Sequence, residues 1–523
     1  MKSVSLKSNR ENKMRLTRRD VLILALASFL VVVAYLVTSA LTYKTGFPLD
    51  DSWIHQTYAR NLALRHEWSF VPGQASAGST APLWTLLLAV GFFLPLAPYL
   101  WTYLLGWLLL FGLGVLGEGL LRSAGAIRRS PEPADGRAPE VGASYAPHIP
   151  WAGLFFILEW HMTWAAVSGM ETLLHILIVT ATLGMLMIGS RRYLPLGLLV
   201  GLSVWVRPDG LTLLGPLVVY ALLTERNSAG RVRALFLLTL GFAVLFAPYL
   251  LFNLALSGTP MPNTFYAKQA EYAIQPGAAL NTRLSLYGLQ FLIGFLQFFG
   301  GVSLAVLPGF IQKIRVALRR REWGILLSAL WVLGYTVLYL SRLPAYQHGR
   351  YLMPAMGVFL LIGLMGFVEF LPSLRTQRTR LFRRVALVAI VMFSVAFGGF
   401  GAFTYGQDVG LIESEMVVTA KWVAQNTPPG ALIAAHDIGA LGFFGGHPIV
   451  DLAGLISPDV VPFIRDQARL ADYMDQRRVD YLVAFPYWYP ELAQRGSPVF
   501  ASGGEFVPQT GHENMVIYRW KRP

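Results

Sequence analysis

Long apolar runs separated by short polar segments fill residues 21–404 of the chain. Runs at 21–43, 98–121, 150–167, 172–189, 234–254, 285–312, 324–340, 352–370 and 385–404 each approach or exceed the length that crosses a bilayer as a helix. Two further segments read either way. Residues 82–97 form a short apolar run bounded by Pro82 and Pro98, and residues 195–223 are interrupted by Arg207-Pro208-Asp209-Gly210. Beyond residue 405 the pattern changes. Glu415–Gln425 reads as a helix ended by Asn426-Thr427-Pro428-Pro429-Gly430. Short β-prone runs follow at 431–435, 447–452, 480–485 and 514–520, alternating with helical or turn stretches. The pattern predicts an all-α polytopic membrane protein with a small C-terminal α/β domain.

Charge decides the two ambiguous segments, because Lys and Arg concentrate in cytoplasmic loops. If 82–97 dips back without crossing and 195–223 is a hairpin turning at 207–210, the inside segments are 1–20, 122–149, 190–193, 224–233, 313–323 and 371–384. These hold 26 Lys and Arg, against 8 in the outside loops. A true span at 82–97 inverts every later loop and leaves 12 inside against 22 outside. About eleven spans are therefore expected, with the N-terminus in and a tail of about 119 residues outside the cytoplasm. The 23-residue first run is too long for a signal-peptide core and has no A-x-A-like site, so it reads as an uncleaved anchor.

The domain plan is a basic N-terminus (1–20), a transmembrane part (21–405, first outer loop 44–97) and a soluble domain (406–523). That last segment has 9 basic and 13 acidic residues. The Pro-, Gly- and Ala-rich stretch 129–148 reads as a mobile cytoplasmic loop. Only 14% of residues are charged, against about 25% in soluble proteins, which excludes an ordinary cytosolic enzyme or a disordered chain. The net charge of +14 belongs to membrane orientation rather than to an acidic partner. With no Cys there is no disulfide, thiolate metal site or cysteine nucleophile.

The first outer loop is richest in chemistry. Asp50 and Asp51 open an amphipathic helix running through His55, Arg60 and Asn61, with Trp53, Ile54, Ala59 and Leu62 expected on the membrane interface. One Asp suffices as a helix cap. An adjacent pair can also raise one carboxyl's pKa by repulsion and make a base suited to a hydroxyl proton, or hold a hard divalent cation such as Mg, Mn or Ca. The residues leave these readings open. Arg207, Lys268, Arg342, His348 and Arg350 supply outer-face cations for a phosphate, although any one of them suits headgroup contact. His175 reads as a packing residue, and His436, Asp437, His447 and Asp451 match no metal motif. A transporter or flippase of an amphipathic substrate would also carry many spans, yet no inverted repeat is visible. A non-catalytic envelope-assembly subunit is a further reading.

Six stretches of the membrane part together resemble the GT-C superfamily of polytopic glycosyltransferases, in the branch with arabinofuranosyl- and mannosyltransferases. They are Asp50–Leu62, Gly78–Thr85, Ser168–Thr172, Arg207–Gly210, Pro262–Lys268 and Arg350–Pro354, with Asp437–Gly442 and Val450–Leu455 in the tail. The resemblance implies a bacterial plasma (inner) membrane enzyme. It would take a sugar from a polyprenyl phosphate and pass it to a glycan, lipid or protein acceptor of the envelope on the outer face. Asp50 is expected as the base, with Asp51 orienting it or helping to hold a cation. The donor phosphate is expected on Arg207 and Arg350, then Lys268, Arg342 and His348. His55, Arg60, Glu171, Asp209, Asn263 and Tyr266 are the remaining cavity candidates. The tail's position suits a lid or an acceptor-docking surface. No nucleic-acid partner is expected.

Overall fold

The computed structural model describes residues 16–127, 149–272, 280–343, 346–370 and 377–522; the proposed loop at 129–148 lies outside them. The chain is a multi-pass membrane protein, mostly helical. Five described helices are each long and apolar enough to cross a bilayer, among them Arg18–Thr42, Ser228–Ser257 and Trp323–Arg342. A sixth crossing would be a bent pair. Residues 285–312, expected as one helix, are two, Leu280–Phe299 and Val302–Arg320, meeting at 91° where Gly301 adopts φ 133°. Residues 150–167 are also broken, into Trp151–Leu158 and Trp160–Val167. Glu159 leaves helical geometry there and caps the second helix through the Met162 amide. The other expected crossings rest on helices of 10–17 residues.

Of the two ambiguous segments, one is short and the other is broken. Helix Pro82–Phe93 has 12 residues, about 18 Å at 1.5 Å per residue, too short to span. The 195–223 segment breaks at Arg207, which is extended (φ −155°, ψ 136°) between helix Tyr193–Val206 and the 3-10 turn Pro208–Leu213.

Small residues let the helices approach closely, as van der Waals packing in lipid requires. A Cβ on Gly366 would fall 1.9 Å from the Gly309 carbonyl oxygen, and one on Gly197 would fall 2.2 Å from that of Leu238. At the basic end of the bundle, Arg122 bridges Asp20 (3.0 Å) and Glu118 (2.7 Å), joining helices Arg18–Thr42 and Pro98–Ile127.

The opposite end carries a two-stranded ribbon, β1 (Ser69–Val71) and β2 (Gln74–Ala75), and the tail domain. The tail's sheet comprises β3 (Ile433–Ala435), β4 (Ile449–Asp451), β5 (Tyr481–Ala484), β6 (Gly496–Ala501) and β7 (Val516–Trp520), in the order β4-β3-β5-β7-β6. The first three are mutually parallel and the last two antiparallel. Strand β6 was not anticipated. It is a bulged edge strand containing Pro498, the setting in which proline is tolerated in a sheet. Helix Gln377–Ile412 runs through the expected boundary at 405 and continues, by a π-helical turn at Glu413–Val417, into helix Val418–Asn426.

A further expectation is overturned. Helix Asp51–Arg65 does not lie on the membrane interface: Trp53, Ile54 and Ala59 are all buried. Trp53 packs among Phe47, Tyr99, Phe443 and Phe444, with ring centroids 4.6–5.2 Å away. The tail covers the face that a bilayer would have met.

Gly366→Leu should force the two helices at the Gly309 contact apart, costing about 1–3 kcal/mol as other overpacked cores do. The expected readout is a lower melting temperature in detergent; an unchanged one would contradict the close contact.

Candidate active site

The two adjacent carboxylates take different environments. Asp50 occupies the N-cap position of helix Asp51–Arg65 yet makes no side-chain cap bond. Its oxygens accept instead from the tail, Oδ2 from the Gly439 amide (2.7 Å) and Oδ1 from the Ala440 amide (2.8 Å). Burial pushes its carboxyl up; the Ala440 and Gly439 amides pull it back and Asp51 adds repulsion, leaving it at about 6. Asp51 points elsewhere. Its side chain is 33% exposed, and Oδ2 lies 3.1 Å from Arg350 Nη2 and 3.9 Å from Lys268 Nζ. Burial raises its pKa as well, but Lys268 and Arg350 outweigh it and hold the group below the usual carboxylate range.

Tyr351 gathers the cations. Its phenol oxygen accepts from Lys268 (2.8 Å) and Arg350 (3.0 Å). The cationic groups of Arg207, Lys268 and Arg350 all lie 5.0–5.4 Å from its ring centre. Tyr339 stacks on it at 5.6 Å. Burial raises the phenol pKa, and Lys268 and Arg350 more than reverse this, down to about 8. Arg350 is only 2% exposed, and its Nε and Nη1 have no hydrogen-bond partner among the described residues. Buried guanidinium donors left unpaired are costly.

Behind this cluster lies a buried ionic layer. Arg207 donates to Glu171 (3.1 Å), Asp209 (3.2 Å) and the Tyr339 hydroxyl (3.1 Å). Asp209 Oδ2 accepts from the Tyr335 and Tyr339 hydroxyls, 2.5 Å each. His55 Nε2 is 3.5 Å from Glu171, and its Nδ1 is 3.2 Å from Ser79 Oγ. His175, expected to be mere packing, is buried with Nε2 3.7 Å from Asp209.

The structure therefore brings together Asp51, Arg350, Lys268 and Arg207, with Glu171, Asp209 and His55 supporting them. Asn263 is buried and Tyr266 half-buried on the helix that carries Lys268. Three candidates serve elsewhere. Arg60 donates to the Phe443 (2.6 Å) and Gly442 (3.1 Å) carbonyls and anchors the tail. His348 pairs with Asp408 at 2.8 Å, and Arg342 is exposed at its helix end. Residue-by-residue reading missed Tyr351, although it adjoins Arg350, and the Gly439 and Ala440 amides, which have no side-chain signature. It also set aside Asp437, whose carboxyl is pushed well above the usual range by burial and then by Asp50 and Asp51.

A divalent cation fits this donor set poorly. Asp50's oxygens already accept amides and Asp51 already faces two cations. Among the described residues no group of three or more His, Asp or Glu is arranged to hold a metal. The tail candidates also disperse: His436 binds the Tyr489 hydroxyl, His447 faces Thr427, and Asp451 accepts the Ala453 and Ile456 amides.

Comparison of the coordinates with solved structures finds ArnT from Cupriavidus metallidurans bound to undecaprenyl phosphate. It is similar at a TM-score of 0.55 and 16% identity, over 94% of this chain and 97% of that one. The apo Archaeoglobus fulgidus oligosaccharyltransferase is similar at a TM-score of 0.59 and 10% identity, over 92% and 73%. The archaeal oligosaccharyltransferase AglB from the same organism, in complex with an inhibitory peptide and a dolichol-phosphate, gives 0.51 and 10%, over 90% and 72%.

The chain has the GT-C fold.

The fold implied by the short motifs is thus the one observed, tail included. In sequence, residues 407–518 match a family described as a domain of unknown function, DUF8728. No curated protein matches. The GT-C bundle supplies the cation cluster, and the tail supplies the amides on Asp50.

The two carboxylates should separate experimentally. Asp50→Asn places an amide against two amide donors, at a cost of about 1–3 kcal/mol for the mismatched buried group. It should speed proteolysis between the tail and the bundle. Asp51→Asn should leave the digestion pattern native. Identical patterns for the two variants would contradict the division.

Proposed function

We propose that this chain is a membrane glycosyltransferase. It would move a sugar from a polyprenyl-phosphate donor to a cell-envelope acceptor, by inverting single displacement, on the membrane face that bears the tail. The observation that carries this reading is Arg350, buried with two unpaired donors beside Lys268 and Arg207 and across from a partly exposed carboxylate. An anionic phosphate satisfies those donors. The undecaprenyl phosphate bound by ArnT and the dolichol-phosphate in the AglB complex support a lipid phosphate on this fold.

In the reaction, the acceptor hydroxyl oxygen attacks the anomeric carbon and the carbon–oxygen bond to phosphate breaks. The hydroxyl proton passes to a carboxylate. We assign that role to Asp51, where the sequence had suggested Asp50, because Asp51 is the accessible member of the pair and Asp50's oxygens are already occupied by amides. Before the donor arrives, two cations make Asp51 a weak base. A bound phosphate shares those cations, so Asp51's proton affinity rises when the substrate is in place. The leaving phosphate gains charge as the bond breaks; Arg350 offers it two unpaired donors, and Lys268 and Arg207 add positive charge nearby. A single displacement needs one base and inverts the anomeric centre. The scheme needs no resident metal.

Purified protein incubated with a panel of polyprenyl-phosphate pentoses and hexoses should release the lipid phosphate with at least one member. Asp51→Asn should slow release roughly 10²–10⁴-fold, the usual contribution of a general base. Release from no donor, or near-native turnover in Asp51→Asn, would overturn the reading.

Donor affinity should also depend on pH. As pH rises through about 8, Tyr351 loses its proton and its phenolate neutralises part of the cation cluster. Lipid-phosphate affinity should therefore weaken above pH 8. Tyr351→Phe should abolish that alkaline limb in a pH series of donor binding.

A further inference from the structure

We propose that His348 is a positioning residue for Arg350. Its contact with Asp408 holds a strained turn, and that turn fixes the backbone from which Arg350 presents its unpaired donors. The donors' use for a lipid phosphate rests on the glycosyltransferase reading; the fixing of Arg350 does not.

The strain comes first. Gln347, His348 and Gly349 follow one another at φ 52°, 57° and 70°, immediately before Arg350. Glycine adopts that region freely, whereas a residue with a side chain is disfavoured there by about tenfold and visits it singly. Among the described residues six non-glycine positions have positive φ, and only Gln347 and His348 are adjacent. Within the turn the Gly349 amide donates to the Tyr346 carbonyl (3.0 Å) and the Arg350 amide to that of Gln347 (3.1 Å). Backbone in this state persists where its surroundings over-determine it, commonly beside ligand sites.

One side chain supplies the hold. Tyr346 and Gln347 are exposed, whereas His348 is wedged into the bundle. Its Nε2 lies 2.8 Å from Asp408 Oδ2, on helix Gln377–Ile412. The same oxygen accepts from Trp164 Nε1 at 3.0 Å. The rings of Trp160 and Trp164 meet the imidazole edge on, with centroids 5.8 and 5.4 Å away. Trp160 is itself tied to the Gly300 carbonyl at 3.0 Å. Two residues on, Arg350 carries a cost of its own, since it is buried with Nε and Nη1 unpaired among the described residues. A relaxed turn would let the guanidinium withdraw. The His348 contacts therefore keep Arg350 beside Asp51, at 3.1 Å, before any ligand arrives. His348 serves the cation cluster without joining it.

The test uses full-length protein in detergent, titrated with undecaprenyl phosphate by native mass spectrometry. His348→Ala and Asp408→Ala break the contact from either side. Each should weaken binding at least fivefold, because affinity falls with the fraction of molecules that hold Arg350 in place. Adding Gln347→Gly should recover most of the loss, since glycine removes the bias against the turn; Gln347→Gly alone should bind as the native protein does. Donor-free cryo-EM maps read the turn directly: Arg350 should leave Asp51 in His348→Ala and return in the double variant. Native binding in His348→Ala, or a loss that Gln347→Gly does not recover, overturns the proposal. Arg350 still on Asp51 in the donor-free His348→Ala map overturns it as well. No binding by the native protein, with Arg350 displaced in the His348→Ala map, overturns the lipid-phosphate reading alone.

Discussion

The arrangement depends on one carboxylate held by two backbone amides. Asp50 accepts from the Gly439 and Ala440 amides at the start of a short helical turn, and Arg60 donates to the carbonyls of Gly442 and Phe443 toward its other end. Anion at the amino end and cation at the carboxyl end both match the dipole of that turn. Helix Asp51–Arg65 therefore grips the tail at two points more than two turns apart. With Asp50 committed to the tail, the chain places Asp51 on the side of the cations. Adjacent residues of the same type thus do different work, one binding the tail's amides and the other pairing with Arg350 and Lys268.

Burying charge is expensive unless each charge is answered. Arg207 is answered by Glu171, Asp209 and Tyr339, and Asp209 by Tyr335 and Tyr339 as well. Each charge in this layer has an opposite charge nearby, although Glu171 Oε2 and His175 Nε2 make no hydrogen bond among the described residues. In the layer in front of it, Arg350 Nε and Nη1 are unpaired among the described residues. That front layer borders the tail.

Much of this was legible in the residues, and what was not has physical causes. The apolar run bounded by Pro82 and Pro98 and the Arg207-Pro208-Asp209-Gly210 motif marked the short helix at 82–93 and the break at Arg207, because both are local signals. The motifs around Asp50, Arg207, Lys268 and Arg350 marked side chains that do converge. The burial of Trp53 was hidden, because its cover comes from Phe443 and Phe444, nearly four hundred residues away in the chain. Breaks at Glu159 and Gly301 were hidden by apolar flanks that read as continuous. Backbone amides leave no trace in residue type, so the reason Asp50 differs from Asp51 appears only once the tail is in place. Tyr351 was written beside Arg350, yet nothing local showed that three cations would surround it.

The helix that leaves the bundle does not stop at the tail. From Gln377 it passes through a π-helical turn and on to Asn426, and both acidic residues of that turn are tied down. Glu413 takes Lys44 and Tyr99, while Glu415 takes Asn514 and the Met515 amide. The tail is consequently mounted on a strut rather than a tether. One acidic side chain of the turn is thereby tied to the bundle and the next to the tail, so the join between the two is built from continuous helix and paired charge.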